Sequence, residues 1–431
     1  MKNELKNKII YQVFARNFTK EGTFKAFNKH IDYIKNLGVD IIYFTPINEI
    51  GLINRKGDLG SPYSIKDYYK INPELGTIDD FIETINKIHH AQMKVMIDVV
   101  FNHTSHDSIL RNLHPEWFYK DKDGNITSKC SDWSDVIDLD YRNNSALVDY
   151  IINVIKYYIN LGVDGFRFDV AGLIGLNLYK KIKEEILSTS PNIIMLAEAI
   201  DPNFTNYIRS QNLDAIDDAT LFNTGFDLLY EYNAWNYLRE YLETEDLNKL
   251  TSFKVLKSYE FAFNPNSSMR IRGIENHDQK RICEFTNSKL KQRNLLAMSF
   301  YMVGPMFIYN GLETKADHHL SLFTKDLLDL SIDKKWFNFV KKIINIKKDI
   351  TNLNIIFSEV DTTIGEFLIF KNIYNNSNYG FGIFNLKVRS QIIKSNFLID
   401  GVYKNLLDDK TYEIKNNQIK VNEPLYLIKI N

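Results

Sequence analysis

Short β-branched runs alternate with longer amphipathic segments along most of this chain, a pattern that predicts consecutive βα units. Ile9 to Phe14 (IIYQVF) reads as a first strand and Thr23 to Leu37 as the helix after it. Val39 to Ile47 (VDIIYFTPI) reads as a second strand, ended by Pro46, which has no N–H for a ladder bond. A helix over Ile78 to Ala91 precedes MKVMIDVVFNH, whose nearly unbroken apolar run is what a parallel strand covered on both faces requires. Leu147, Tyr150, Ile151, Val154, Ile155, Tyr158 and Ile159 then recur at helical spacing and stop at Leu161-Gly162, directly before VDGFRFDV. NIIMLAE, LDAIDDAT, SMRIRGIEN and PMFIYN bring the predicted strands to eight. Helices are predicted between them near Leu176 to Ser188, Asn203 to Ser210, Phe226 to Tyr241 and Gln292 to Met302. Eight such units predict an α/β fold, a (β/α)8 TIM barrel.

Two departures from the alternation set the expected domains. Between the third strand and its helix lie some forty residues, where a βα connection ordinarily takes about 2–6. Residues 103–142 are therefore expected to form a small inserted lobe, with DKDGNITSK as a turn flanked by hairpin strands. Trp117, Phe118 and Trp133 in this lobe either cap it or flank a cleft. After Lys348 the pattern changes to short alternating strands with Asn, Gly and Asp turns. The expected organisation is a catalytic barrel over 1–102 and 143–348, the lobe over 103–142, and a C-terminal all-β sandwich domain over 349–431. No repeat of 20 to 50 residues is visible, which argues against a solenoid.

Composition narrows the partners. The chain has 431 residues, more than a barrel of roughly 250 needs, which fits a barrel with an appended domain. Its 53 basic and 54 acidic side chains nearly cancel, and no dense basic run with interleaved aromatics marks a nucleic-acid surface. The partner is expected to be uncharged, with no nucleic acid and no membrane, since no window approaches 18 apolar residues. Two isolated cysteines, Cys130 and Cys283, form no disulfide framework and no metal-ligating spacing. With no apolar signal core in MKNELKNKIIYQVF, the expected location is cytoplasmic. Oligomeric state is not encoded in the pattern.

Three carboxylates stand at the ends of predicted strands: Asp169 in GFRFDVA, Glu198 in IIMLAEAID and Asp278 in RGIENHD. In a (β/α)8 barrel the C-terminal strand ends converge on one mouth, so acids distant in sequence meet in space. The same stretches carry a resemblance. IYQVFARNF, GVDIIYFTPI and SPYSIKDYYKINPELGTIDDF resemble the opening segments of the α-amylase superfamily of glycoside hydrolases, family thirteen. DVVFNHTS, GFRFDVA, AEAID and ENHD resemble its four catalytic blocks in the family's order, and GPMFIYNGLE its eighth-strand segment.

Retaining cleavage of a glycosidic bond needs two carboxyls about 5 Å apart, one as nucleophile and one as acid. Asp169 and Glu198, on neighbouring strands, suit these parts. Arg167 shares the inward face with Asp169 through the period-two alternation of a strand and is expected to keep it ionised. Glu198, after an apolar stretch, is expected to stay protonated as general acid. Asp278 would grip sugar hydroxyls as the ring flattens. The resemblance further implies that His103 and His277 bind sugar hydroxyls, that Tyr63 stacks beneath the sugar, and that Asp98 positions the arginine. It also makes Asn102 a calcium-ligand candidate, with Asp135 and Asp138 as further oxygen donors. No cofactor is required by the chemistry itself.

The implied activity is retaining hydrolysis of α-glucosidic, chiefly α-1,4, bonds in maltooligosaccharides. Alternatives are a transglycosylase or isomerase using the same glycosyl-enzyme, or a catalytically silent sugar-binding barrel. Two positions depart from the family pattern: Gly172-Leu173 stand where many α-amylases have Lys-His, and Ser61-Pro62 where His-Gly is usual before the tyrosine.

Overall fold

A computed structural model of the chain describes residues 3–130, 132–263, 269–349, 355–374, 379–387 and 390–430. Backbone contacts divide it into two compact units. One comprises Ile10–Tyr230 with Leu320–Asp329; the other comprises Glu231–His319 and Leu330–Asn431 with the amino-terminal residues up to Ile9.

The first unit is organised by parallel strands β1 (Ile9–Val13), β2 (Ile41–Phe44), β3 (Lys94–Val99), β4 (Gly165–Phe168), β5 (Ile194–Ala197) and β6 (Leu228–Leu229). Each pairs with the next in chain order, through partners such as Ile10↔Ile41, Phe44↔Ile97, Asp98↔Arg167, Phe168↔Ala197 and Leu229↔Ala197. Nearly every residue of these strands is buried, which is why their sequences read as continuous apolar runs. The helix Ile78–His90 starts on a capping box in which Thr77 accepts from the Asp80 N–H and Asp80 from the Thr77 N–H. The helix Ser145–Asn160 starts at Asn144, and Gly162, at φ +102°, turns the chain into β4.

Three local expectations are corrected. The helix predicted over Thr23 to Leu37 is broken into Phe24–Phe27, a 3₁₀ turn Asn28–His30, and Ile31–Leu37. The segment LDAIDDAT is not the sixth strand. Asp217 accepts from the Thr220 N–H and caps a short helix, Asp218–Asn223, so local capping defeats the alternation of Leu213, Ala215 and Ile216. The sixth strand is instead Leu228–Leu229, inside what reads as a helix from Phe226, and that helix begins only at Tyr232.

The inserted lobe is a small antiparallel excursion. His103–Ser105 pairs with Val136–Asp138, and Lys120 bridges Ile126 across the Asp121–Asn125 turn. Trp117 and Phe118 are buried, and Trp117 stacks on His114 with ring centroids 3.8 Å apart, so both cap the lobe. Trp133 is half-buried and faces His103 at 5.5 Å.

The second unit holds β7 (Met269–Arg270) and β8 (Met306–Tyr309), bridged in parallel between Arg272 and Met306. Ser268, the first residue of the predicted seventh strand, lies outside the described residues. A 17-residue helix, Leu247–Phe263, precedes β7 where no element is predicted. It carries no strong apolar stripe, so its sequence lacks the period that betrays a surface helix. From Ile355 onward the elements among the described residues are all β: β9 (Ile355–Val360), β10 (Phe367–Tyr374), β11 (Tyr379–Asn385), β12 (Gln391–Lys394), β13 (Gly401–Asn405), β14 (Thr411–Ile414), β15 (Gln418–Val421) and β16 (Leu425–Lys429). Six form an antiparallel sheet in the order β9-β10-β11-β16-β13-β14, and β12 pairs with β15. Phe367, Ile369, Phe381, Ile383, Tyr403 and Leu427 are part of its core.

Candidate active site

The site is organised around one buried arginine. Asp98 in β3 and Arg167 in β4 are cross-strand partners, which sets Arg167 Nη1 2.9 Å from Asp98 Oδ1. Asp169 lies two residues beyond Arg167, on the same face, and its Oδ1 accepts from Nη1 at 2.7 Å. Glu198 follows β5 directly. Its Oε1 is 3.0 Å from Arg167 Nη2, and its Oε2 accepts the Val170 N–H at 2.7 Å. One guanidinium therefore faces three carboxylates. Two tyrosine hydroxyls donate to Asp98 Oδ2, Tyr43 at 2.5 Å and Tyr63 at 2.8 Å. His103 Nε2 lies 3.9 Å from Asp169 Oδ2.

The electrostatics follow from burial. Desolvation works against the Arg167 charge, but Asp98 and Glu198 outweigh it, so the group stays charged and its pKa rises. Asp169 is pushed well above the usual carboxylate range by burial, with Glu198 and Asp98 adding to the push and Arg167 opposing it. The expected pull of Arg167 toward an ionised Asp169 is present, and it is opposed by burial and by the two other acids that share the guanidinium. Burial lowers the pKa of His103, leaving a neutral imidazole suited to hydrogen-bonding hydroxyls.

Sequence reasoning missed several features. Tyr43 and Tyr230 wall the arginine, with its guanidinium carbon 5.3 Å from the Tyr230 ring centroid. Val170 has φ +36° and ψ +49°, a left-handed conformation that costs a β-branched residue about 1–3 kcal/mol. That bend aims its N–H at Glu198. No residue-type signal marks it, since glycine is the usual occupant of such a conformation.

Asp278 stands in the second unit, where its side chain is 39% exposed and 2.9 Å from His277 Nε2. Its own N–H donates to Asn276 Oδ1, and the His277 carbonyl accepts from His319 Nε2. Glu275, two residues upstream of His277, is fully engaged by Arg281 and the Ile282 N–H.

The lobe residues expected to hold calcium are otherwise engaged. Asp135 pairs with Lys56 at 2.8 Å. Asp138 accepts from Ser128 Oγ and the Lys129 N–H, and the Lys129 ammonium sits 4.0 Å from it while donating to the Leu139 carbonyl. Asn102 donates toward His103 Nδ1, and its buried Oδ1 has no hydrogen-bond partner. The Lys129 ammonium thus already lies against Asp138, and among the described residues no group of three His, Cys, Asp or Glu side chains is placed to hold a metal ion. Ca²⁺ takes about 6–8 oxygens; of the expected donors, Asp135 and Asp138 have lysines beside them and Asn102 Oδ1 is without a hydrogen-bond partner.

The alpha-amylase catalytic-domain family matches residues 8–134 and 114–334, which together take in Asp98, Asp169, Glu198 and Asp278. The chain belongs to the alpha-amylase family. The bacterial alpha-amylase C-terminal domain matches residues 369–427. A solved α-amylase from Lactobacillus plantarum is 34% identical, with a TM-score of 0.91 over 100% of both chains. A noncanonic maltogenic α-amylase from Thermotoga neapolitana is 28% identical, with a TM-score of 0.84 over 99% of each. These likenesses give this α-amylase-family chain the (β/α)8 barrel and C-terminal all-β domain expected from its pattern.

Among curated sequences it is 29% identical over 59% of its length to an α-1,4-glucan:maltose-1-phosphate maltosyltransferase of Picrophilus torridus. It is 26% identical over 72% to alpha-amylase 3 of Dictyoglomus thermophilum. The chain spans 40% and 64% of the lengths of these two relatives. The family thus includes both hydrolases and a glycosyl transferase. Among the described residues, no helix of the chain is long and apolar enough to cross a membrane.

Proposed function

We propose that this protein is a retaining glycoside hydrolase acting on α-1,4-linked maltooligosaccharides, through a glycosyl-enzyme on Asp169. The observation that carries this reading is the pair Asp169 and Glu198, set on adjacent strand ends and bound to the same guanidinium. Glu198 gives its proton to the leaving glycosidic oxygen as the Asp169 carboxylate attacks the anomeric carbon and the C–O bond breaks. Water then attacks the same carbon, Glu198 takes its proton, and the ester bond to Asp169 breaks. Asp98 and the two tyrosines keep Arg167 in place, so the nucleophile's neighbour does not reorganise during reaction. His103 hydrogen-bonds hydroxyls of the bound sugar and Tyr63 stacks beneath it; His277 takes its part from its place in the ENHD block. Asp278 takes its role, steadying the flattened ring, from its place in the ENHD block. The lobe works without calcium, Lys129 supplying the positive charge beside Asp138.

The test is digestion of maltotriose with time-resolved product analysis. Glucose and maltose as the first products, with activity lost in Asp169→Asn, uphold the reading. Longer oligosaccharides appearing first overturn hydrolysis in favour of the second reading, glycosyl transfer, which the similarity to a maltosyltransferase favours.

A further inference from the structure

We propose that Trp133, Phe204 and Tyr207 form an aromatic track that binds the leaving-group or acceptor sugars of an α-glucan. The track deepens the proposed function by naming what lies beyond the scissile bond, and it rests on that reading.

It starts at His103, 3.9 Å from the Asp169 carboxylate. The Trp133 ring lies 5.5 Å from that imidazole, Phe204 lies 6.4 Å from Trp133, and Tyr207 lies 6.4 Å from Phe204. The last two rings lie within 20° of parallel. Burial falls along the line: His103 is buried, Trp133 and Phe204 are half-buried, and Tyr207 is 53% exposed.

Plain core packing accounts for the inner edges of Trp133 and Phe204, which rest on Leu173, Ile200 and Ile208. It does not account for an exposed tyrosine continuing the row outward. The C–H face of a pyranose is a flat apolar surface that aromatic rings cover well, and such rings line ligand clefts.

Gly172 explains why the row is aromatic and not cationic at this place. A Cβ there would meet Ile200 side-chain carbons at 2.8 Å and the Ile216 carbonyl at 2.9 Å, so a lysine at that position would require its neighbours to shift. The polar contacts that Lys-His would offer at 172 and 173 are replaced by an apolar wall, and stacking is what remains to hold the sugar.

The experiment compares wild type with Tyr207→Ala, Phe204→Ala and Trp133→Ala, and with Tyr207→Trp as the conservative variant. Two quantities are measured: the ratio of kcat/KM for maltoheptaose to that for p-nitrophenyl α-glucoside, and the Kd of maltoheptaose in the Asp169→Asn background by calorimetry. Tyr207→Ala should lower the ratio about five- to tenfold and weaken binding equally, with Tyr207→Trp restoring both. An unchanged ratio and Kd in folded Tyr207→Ala and Phe204→Ala would overturn the track. If wild type cleaves no α-glucoside, the proposed function fails. Calorimetry then decides the track alone: weakened heptaose binding upholds it, and unaltered or absent binding overturns it.

Discussion

At the residue scale, the chemistry depends on how one arginine shares its charge among three acids. If Glu198 is the proton donor, Glu198→Gln should cut kcat/KM by about 10²–10⁴-fold on maltotriose. The loss should be much smaller on a nitrophenyl glycoside, whose leaving group needs no proton; equal losses on both would remove Glu198 from that role. Asp169 carries a second consequence. Its folded-state pKa is raised, so the folded protein holds that proton more tightly than the unfolded chain, and stability is lost as pH rises above the ordinary carboxylate range. Asp169→Asn should therefore abolish turnover while raising Tm at pH 7, with the gain shrinking toward pH 4. A lower Tm at pH 7 would mean that the ion pair with Arg167 outweighs desolvation. Lys129 offers a third check. Chelation by EDTA should leave wild-type Tm unchanged, and Lys129→Met should lower it, because Asp138 would lose the ammonium beside it. A rise in Tm on adding Ca²⁺ to wild type would contradict the assignment.

At the element scale, the strand ends decide where functional groups stand, and most strands were legible. β1 to β5 coincide with apolar runs because both faces are buried, and GFRFD, IMLAE and MIDV placed Arg167, Asp169, Glu198 and Asp98 by simple alternation. The two-residue β6 was not legible. Its apolar content is too short to stand out beside LDAIDDAT, whose fate was decided by the Asp217 cap. The chain after β4 was legible in part. The replacement of Lys-His by Gly172-Leu173 is visible in sequence, but its reason is the contact of Gly172 with Ile200 and with the Ile216 backbone, whose N–H donates to the Gly172 carbonyl at 2.7 Å. Gly172→Ala should cost about 1–3 kcal/mol by overpacking, read as a shift in the urea midpoint. A neutral result would mean that the 213–216 segment yields freely.

At the scale of the whole molecule, stability depends also on buried charges that take no part in the proposed chemistry. In the second unit Lys347 is buried, donating to the Phe300 and Met302 carbonyls at 3.1 and 2.6 Å. Burial, with Arg272 nearby, brings its pKa from 10.5 down to about 7. The unfolded chain thus binds the proton more readily between these values, so stability should rise as pH increases from about 7 to 10.5. Lys347→Met should flatten this rise in denaturation experiments across pH 7–10; an unchanged slope would show that the amine titrates normally. No sequence pattern announces such a group, since lysine ordinarily reads as surface. Periodicity and motif order were sufficient to determine the βα alternation, the all-β end and the acids at strand ends, because these depend on local spacing and on burial of whole segments. The sharing of one guanidinium by three acids, the strained Val170, the ammonium beside Asp138 and the aromatic row from His103 to Tyr207 were decided only by tertiary structure. Each depends on side chains from separate segments coming within a few ångströms, and spacing along the chain carries no record of that distance.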